Sequence, residues 1–370
     1  MQKQNISDIS VIICVYTEER WDDIKNAIES LRQQVLRPRE IILSVDHNPG
    51  LYARICNEIH DVIAVDNVHP RGLSGARNSG LEVAQGTLVA FLDDDATAAP
   101  DWLFHLKACF VDDHVLGVGG NVEPAWQTAR PDWFPGEFYW VVGCTYQQIP
   151  SHPIKVRNPY GGCTCYRYEL FTQNGGFRDT IGRMGSRPLG CEETELCIRA
   201  QQRWPERYFL YEPRARIHHH IPAKRARWSY FMARCYAEGL SKAMVTSFVG
   251  HKDGLAAERA YTFRTLPLAI IKGVDDTLRH HQPSGVLRAG TIVAGLAITA
   301  AGFARGCIAQ YQTARFRMQP STIASPSAPH IARNSAKIRR VHKRQSLIPG
   351  QVITYGRLTR ELAEEEAELH

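Results

Sequence analysis

The N-terminus, MQKQNISDIS, has no apolar signal core, so secretion is not expected. No charge of one sign dominates. The chain has 44 Lys and Arg against 38 Asp and Glu, a formal +6, and that balance calls for no nucleic-acid partner. None of the ten cysteines has metal-finger spacing. Cys163 and Cys165 share one face of a strand and are too close for a zinc knuckle, so the scattered thiols read as small core side chains in a reducing cytoplasm. There is no internal repeat. The segment 286–304 is mostly apolar and about the minimum length for a membrane span, but Arg288 and small residues interrupt it, and it reads as a packed or interfacial helix ahead of a true span. The chain has 370 residues, 44% apolar and 22% charged, enough for one large core and a smaller helical appendage.

The chain starts as an alternation of strands and helices. ISVIICVY at 9–16 is a short, continuous, β-branched run of the kind found in buried parallel strands. Trp21, Ile24, Ala27, Ile28, Leu31 and Val35 then recur at helical spacing. A strand from Glu40 to Val45 ends at Asp46, and Val62 to Val65 reads as a third. Gly72-Leu73-Ser74-Gly75-Ala76-Arg77-Asn78 opens a helix running to about Ala84, and the strand Thr87–Leu92 stops at Asp93-Asp94-Asp95. Such alternation with short connections describes a doubly wound α/β sheet with helices on both faces. Ligands bind such sheets beyond the carboxyl ends of the strands, where Tyr16, Asp46 and Asp93–Asp95 converge.

From 117 to 190 the pattern loosens into a Pro-, Trp- and Gly-rich region expected to shape a substrate site. Helix 192–203, strand 208–217 and an amphipathic helix at 226–248 follow. The expected division is a catalytic domain over 1–222, a C-terminal helical region over 223–318 that touches a membrane, and a disordered tail over 319–370. That tail carries Lys337, Arg339, Arg340, Lys343 and Arg344 without an acid before 361–369, which is rich in Glu.

Four groups of residues carry chemistry. Asp93, Asp94 and Asp95 repel one another unless a cation or an ion-pair network sits among them, and hard divalent ions take oxygen ligands; a solvated acidic turn is the competing reading. Arg77, at a helix start, suits a phosphate or nucleotide, or is a surface arginine after a turn. Glu192, Glu193 and Glu195 follow Gly190, with the first two in the opening turn of a helix, as catalytic groups or as caps. His218, His219 and His220 follow the strand ending at Ile217, where imidazole suits borderline ions such as manganese.

In this order, VIICVY, Asp46, SGARNSG, FLDDD, the GGCTCYRYELF…GGF stretch at 161–177 and CEETELCIR at 191–199 resemble the family 2 inverting glycosyltransferases with the GT-A fold. The likeness runs from about residue 9 to residue 240. It implies a nucleotide-sugar donor, with a pyrimidine nucleotide such as UDP favoured because Asp46 would meet the base imide and Tyr16 would lie near that base. Arg77 would contact the nucleotide. Asp93 and Asp95 would hold Mn2+ or Mg2+ on the donor phosphates with His219 as third ligand, and Asp94 would lie among the substrate-binding residues. Glu193 stands where the family has an Asp general base, with Glu192 before it, and Glu195 and Arg199 match the acidic and basic residues further along that helix. The Asp-to-Glu change leaves both 192 and 193 as candidates for the base, with 193 the better aligned.

Two other readings compete. A nucleotidyltransferase would carry a Gly-rich loop after the first strand, where this chain has Tyr16-Thr17-Glu18-Glu19-Arg20. A non-catalytic sugar-binding module would use aromatics such as Trp126, Trp133, Phe134, Phe138, Tyr139 and Trp140 for stacking, as an enzyme would also. The acceptor is open among carbohydrate and lipid-linked classes. The expected location is the cytoplasm, with peripheral contact at the inner membrane face.

Overall fold

The computed structural model describes residues 6–146, 150, 152–183, 189–317 and 353–354. Its frame is a mixed sheet of ten strands: β1 (Ile9–Val15), β2 (Glu40–Val45), β3 (Ile63–Asp66), β4 (Leu88–Asp93), β5 (Ala96–Ala98), β6 (Val115–Trp126), β7 (Ile154–Val156), β8 (Cys163–Arg167), β9 (Tyr208–Ile221) and β10 (Ile353–Thr354). The order is β10-β3-β2-β1-β4-β8-β6-β9-β5, with β7 paired to β9. The first half, β3-β2-β1-β4, is parallel. Then β8 runs antiparallel to both β4 and β6, and β6 and β9 run parallel to each other.

Strand period two divides the side chains of β1 between two cores. Ile9, Val11, Ile13 and Val15 join one cluster and Ile12 the other. Helices α1 (Trp21–Arg32), α2 (Pro49–Glu58) and α4 (Trp102–Ala108) pack on the first side. On the second are α3 (Leu73–Val83), α5 (Glu169–Asn174) and α6 (Glu192–Arg203). This is the doubly wound layering expected from the sequence. After β9 come α7 (Trp228–Val249), two short turns α8 (His251–Gly254) and α9 (Ala256–Ala260), a π-helical turn at Tyr261–Thr265, α10 (Leu266–His280) and α11 (Ser284–Arg317). Glycines let α11 approach α7 closely: a methyl group at Gly239 would strike the Thr299 carbonyl, and one at Gly302 the Tyr236 carbonyl.

The structure corrects the reading in three places. The region from 117 to 190 is not loose throughout, because it holds β6, β7, β8 and α5. Its long strand is disguised by Gly117, Gly119 and Gly120, where side chains would collide with Tyr166, Pro159 and Ala215. Strand β9 does not stop at Ile217; pairing with β6 as far as Trp126–Ile221 and with β5 at Ala96–His219 holds the three histidines extended. Of the aromatics expected to stack on sugar, Phe134, Phe138 and Tyr139 are buried core, and Trp126 and Trp133 lie edge-on to Phe134 and Phe231 respectively. Only Phe138 and Trp140 of that group border the cleft described next. Apart from 353–354, the tail expected from 319 onward lies outside the described residues.

Candidate active site

Parallel pairing aligns the carboxyl ends of the rim strands. Cys14 lies level with both Ser44 and Asp93, so Tyr16, Asp46 and the Asp93–Asp95 turn emerge at one edge. There they border a cleft of about 730 Å³, together with Arg77, Glu192, Glu193 and His219.

The three aspartates have different surroundings. Asp93 is half-buried, and its carboxylate makes no hydrogen bond or ion pair among the described residues. Asp94 is buried and accepts from Arg20 Nη1 at 2.5 Å, while its Oδ2 has no partner. Burial raises the Asp94 pKa to about 7 against the pull of Arg20. Asp95 lies 2.9 Å from His219 Nε2 and also accepts from Arg225 (3.0 Å) and Arg20 (3.2 Å). Burial pushes Asp95 up, but His219 and the two arginines more than offset this and hold it well below the usual carboxylate range. Burial likewise pushes the His219 imidazole down, yet the Asp95 carboxylate and Cys144 raise it to about 10.

β5 turns back from the rim to pair with β9, and this sets His219 beside Asp95. Ligand atoms of Asp93, Asp95 and His219 lie within 4.8 Å of one another. Two carboxylates and one imidazole at this spacing fit a divalent ion of the Mg2+ or Mn2+ type, with the nitrogen favouring the latter. Binding would exchange the imidazolium proton for the ion.

A second feature supports the rim. Gly162 precedes β8, and a methyl group there would fall on the Asp93 carboxylate. Gly162→Ala is therefore expected to lower turnover roughly 10²-fold by displacing Asp93. Steady-state kinetics would measure this, with an unchanged melting temperature as control.

Along the same rim, Asp46 is buried and already holds the following loop. Its carboxylate accepts from the Asn67 amide (2.7 Å) and from the Gly72 backbone N–H (3.1 and 3.0 Å), and it lies 3.0 Å from His47 Nδ1. Tyr16 is 40% exposed beside it, with the Arg20 guanidinium 5.2 Å from its ring centre. Arg77 is buried, not a surface arginine. It donates to Glu192 at 2.9 Å and to the Gly161 carbonyl at 3.3 Å, between the rings of Phe91 and Phe177. That commitment makes it the positioning partner of Glu192.

Helix α6 starts from Cys191 in the left-handed region (φ 71°), a strained conformation for a residue with a side chain. The turn presents Glu192 and Glu193 to the cleft. Glu192 is buried and tied to Arg77. Burial and the neighbouring Glu192 charge raise the Glu193 pKa to about 8, against the attraction of Arg77.

Glu195 and Arg199 are not among the residues that border the cleft. Glu195 is fully buried between Arg178 (2.6 Å) and Arg199 (2.8 Å), and Arg199 also donates to the Gly176 carbonyl just beyond α5. The helical turn that carries Glu192 and Glu193 into the cleft carries these two toward α5, so the pair fastens α5 to α6. Glu195→Gln is expected to cost about 3 kcal/mol of stability, because it leaves two arginines facing a neutral group. Urea denaturation would measure the loss, with the KM for the donor unchanged.

Sequence reasoning missed Arg20, Arg225, Arg183 and the face of α7 bearing Arg234, Glu238 and Lys242, all of which border the cleft. Arg20 carried a faint signal as a lone cation just past a rim strand. The others carried none, because they lie far along the chain from the motifs.

Residues 10–175 match the family model described as Glycosyl transferase family 2. The chain is similar to the glucosyl-dolichyl phosphate glucuronosyltransferase of Haloferax volcanii, 34% identical over 241 residues, covering 64% of this chain and 77% of that protein. It is also similar to the succinoglycan biosynthesis protein ExoM of Rhizobium meliloti, 23% identical over 277 residues, covering 68% and 84% respectively. Among solved structures, the mannosyltransferase from Pyrobaculum calidifontis in complex with GDP-Man and Mn2+ aligns with a TM-score of 0.48 at 16% identity, covering 79% of this chain and 86% of that one.

Proposed function

The chain belongs to glycosyl transferase family 2 and is a glycosyltransferase, and from that premise we propose that it moves a sugar from a nucleotide-diphosphate donor to an acceptor hydroxyl with inversion, assisted by a divalent ion. Family membership sets aside the nucleotidyltransferase and sugar-binding alternatives. The observation that carries the finer reading is the gathering of Asp93, Asp95 and His219 within 4.8 Å at the rim of a cleft that also holds Glu193.

Each residue has a role in this reading. Asp46 and Tyr16 receive the base, with a pyrimidine favoured through Asp46, and Asp94 lies at the edge of the donor site. Asp93, Asp95 and His219 would hold Mn2+ or Mg2+. When bound, the ion supplies neutralisation of the charge that grows on the departing diphosphate. Glu193 takes the proton of the attacking hydroxyl on the face opposite the leaving group. Two observations favour Glu193 over Glu192: its proton affinity is poised near neutral pH, and Glu192 is held by Arg77. Glu192 then orders the turn from which Glu193 projects.

Similarity to the Haloferax volcanii glucosyl-dolichyl phosphate glucuronosyltransferase supports an acceptor carried on a polyprenyl phosphate. Ser284–Gln312 is long and apolar enough to cross a membrane, with 22% of its apolar window buried. Phe263, Leu268 and Ile271 stand exposed nearby. This supports peripheral seating of α10 and α11 on the cytoplasmic membrane face. Recovery of all the protein in the soluble fraction at low salt without detergent would argue against that seating.

The deciding experiment is a panel of nucleotide-sugars assayed for Mn2+-dependent turnover and for stabilisation of the fold. A true donor raises the melting temperature by mass action, and EDTA removes its turnover. A panel in which no nucleotide-sugar binds or turns over with Mn2+ or Mg2+ would sink the donor and metal assignments.

A further inference from the structure

The turn into α6 holds Cys191 in the left-handed region immediately before the two glutamates, and such a conformation persists only where its surroundings fix it. One face of α7 does so. The Ser241 hydroxyl accepts from the Gly190 backbone N–H at 3.0 Å, and the Cys191 thiol donates to Glu238 at 3.5 Å. Val245 and Val249 then pack with Cys191 and Ile198. Residues 238, 241, 245 and 249 recur at helical spacing, so a single stripe of α7 grips the start of α6.

On another side of Glu193 stands backbone. A methyl group on Gly161 would lie 3.0 Å from the Arg77 guanidinium and 3.3 Å from the Glu193 carboxyl carbon, so this glycine packs directly against Glu193. Gly161 lies on the link from β7 to β8, which begins at Arg157. Arg157 donates both arms of its fork to Glu258 on α9, at 2.7 and 3.0 Å. Lys242 on α7 completes the chain: its ammonium reaches Glu258 at 2.6 Å and Glu238 at 3.1 Å. These four half-buried side chains, two of each charge, all border the cleft. Burial favours the neutral acids, yet Lys242 and Arg234 hold Glu238 below the usual carboxylate range, and Lys242 with Arg157 brings Glu258 down to about 2.

We propose that Lys242 is a positioning residue for sugar transfer. By bridging Glu238 and Glu258 it ties the Cys191 turn to the 157–161 link and fixes Glu193 between them. The proposal rests on reading Glu193 as the base, and it gives a part to α9 and the α7 face that this reading leaves unused. The reason is geometric. A general base works only within hydrogen-bond reach of the hydroxyl, so a shift of about 1 Å at Glu193 costs rate rather than donor affinity. Isolated surface ion pairs hold little, whereas here one cation joins half-buried carboxylates of two separate helices.

The test compares Lys242→Met and Lys242→Arg with wild type in the intact chain. Amide hydrogen exchange is read in peptides across 190–196, where the Glu195 N–H donates to the Cys191 carbonyl at 3.0 Å. Lys242→Met is expected to speed exchange there at least about ten-fold, because the turn loses one of its holds. Its kcat, followed as release of nucleoside diphosphate from the donor that the nucleotide-sugar panel selects, should fall roughly 10–10²-fold. Affinity for UDP with Mn2+ should stay within about two-fold, since a displaced base spares ground-state binding. Lys242→Arg keeps a cation that can meet both carboxylates, and it should recover most of the rate and of the protection.

The proposal is overturned if folded Lys242→Met exchanges like wild type across 190–196, or keeps its kcat while Glu193→Gln loses it. It is also overturned if UDP affinity falls as far as kcat, which would place Lys242 with the substrate, or if Lys242→Arg recovers nothing. Glu193→Gln is assayed in parallel. If that variant turns over normally, the base reading falls by itself, and the exchange rates then decide the tie on their own. Should Lys242→Met fail to fold, Glu258→Gln carries the decision. It leaves Lys242 with Glu238 and releases the 157–161 link, so it should speed exchange across 157–162 and lower kcat; no change in either overturns the proposal.

Discussion

Glu193→Gln is expected to lower kcat by roughly 10²–10⁴-fold while leaving nucleotide-sugar affinity in place. Glutamine keeps the size of the side chain and removes only its ability to accept a proton. The acidic neighbourhood of Glu193 also predicts the pH dependence. Burial and the Glu192 charge favour the neutral acid and put its pKa at about 8, whereas a general base acts as the carboxylate. Wild-type turnover should therefore rise with pH through about 8 and fall away below it, and the Gln variant should lack that limb. Glu192→Gln should behave differently. It strips the Arg77 guanidinium of its buried partner, so its main effect should be on stability. Near wild-type kcat in Glu193→Gln, with inactive but well-folded Glu192→Gln, would transfer the base to Glu192.

Asp93→Asn is expected to cost roughly 10²–10³-fold in turnover, the magnitude associated with removing a group that stabilises charge in the transition state. The Mn2+ concentration for half-maximal rate should rise with it. Asp93 is the informative choice because it has no ion pair among the described residues, so the fold should tolerate the change. Asp95 is not equivalent. It is the counter-ion of Arg20, Arg225 and His219, and neutralising it would leave buried cations uncompensated at a cost of several kcal/mol. Rates measured over a Mn2+ titration, with melting curves for each variant, separate the two effects. A fully folded Asp93→Asn enzyme with an unchanged Mn2+ requirement would remove Asp93 from the metal site.

Much of the catalytic half was legible because its signals are local. β1, β2 and β4 are continuous apolar runs, α1 and α6 have helical periodicity, and the rim residues fall where those strands stop. Gly117, Gly119 and Gly120 hid β6, since a strand built close against neighbouring backbone shows little of the β-branched pattern that announces one. The polar tip of β9 hid its last turn toward the site. His219 looked like a residue past the strand's end, yet it is an inward position of a strand still paired on both sides. The aromatic stretch misled in the other direction. A ring that suits a sugar also suits a core, and Phe134 and Phe138 went to the core against Phe231.

What the sequence determined by itself is the strand–helix alternation from β1 to β4, helix α6 and the residue types at the rim, because apolar period and chain breaks act over a few residues. Tertiary structure alone decided which charges neutralise one another. Asp95 meets His219 across 124 residues and Arg225 across 130, and Arg77 meets Glu192 across 115. The same packing sent Glu195 and Arg199 away from the cleft and brought Arg183 and α7 to it. Electrostatic partnership depends on distance in space and on how much water is excluded, and neither is written in the spacing of residues along a chain.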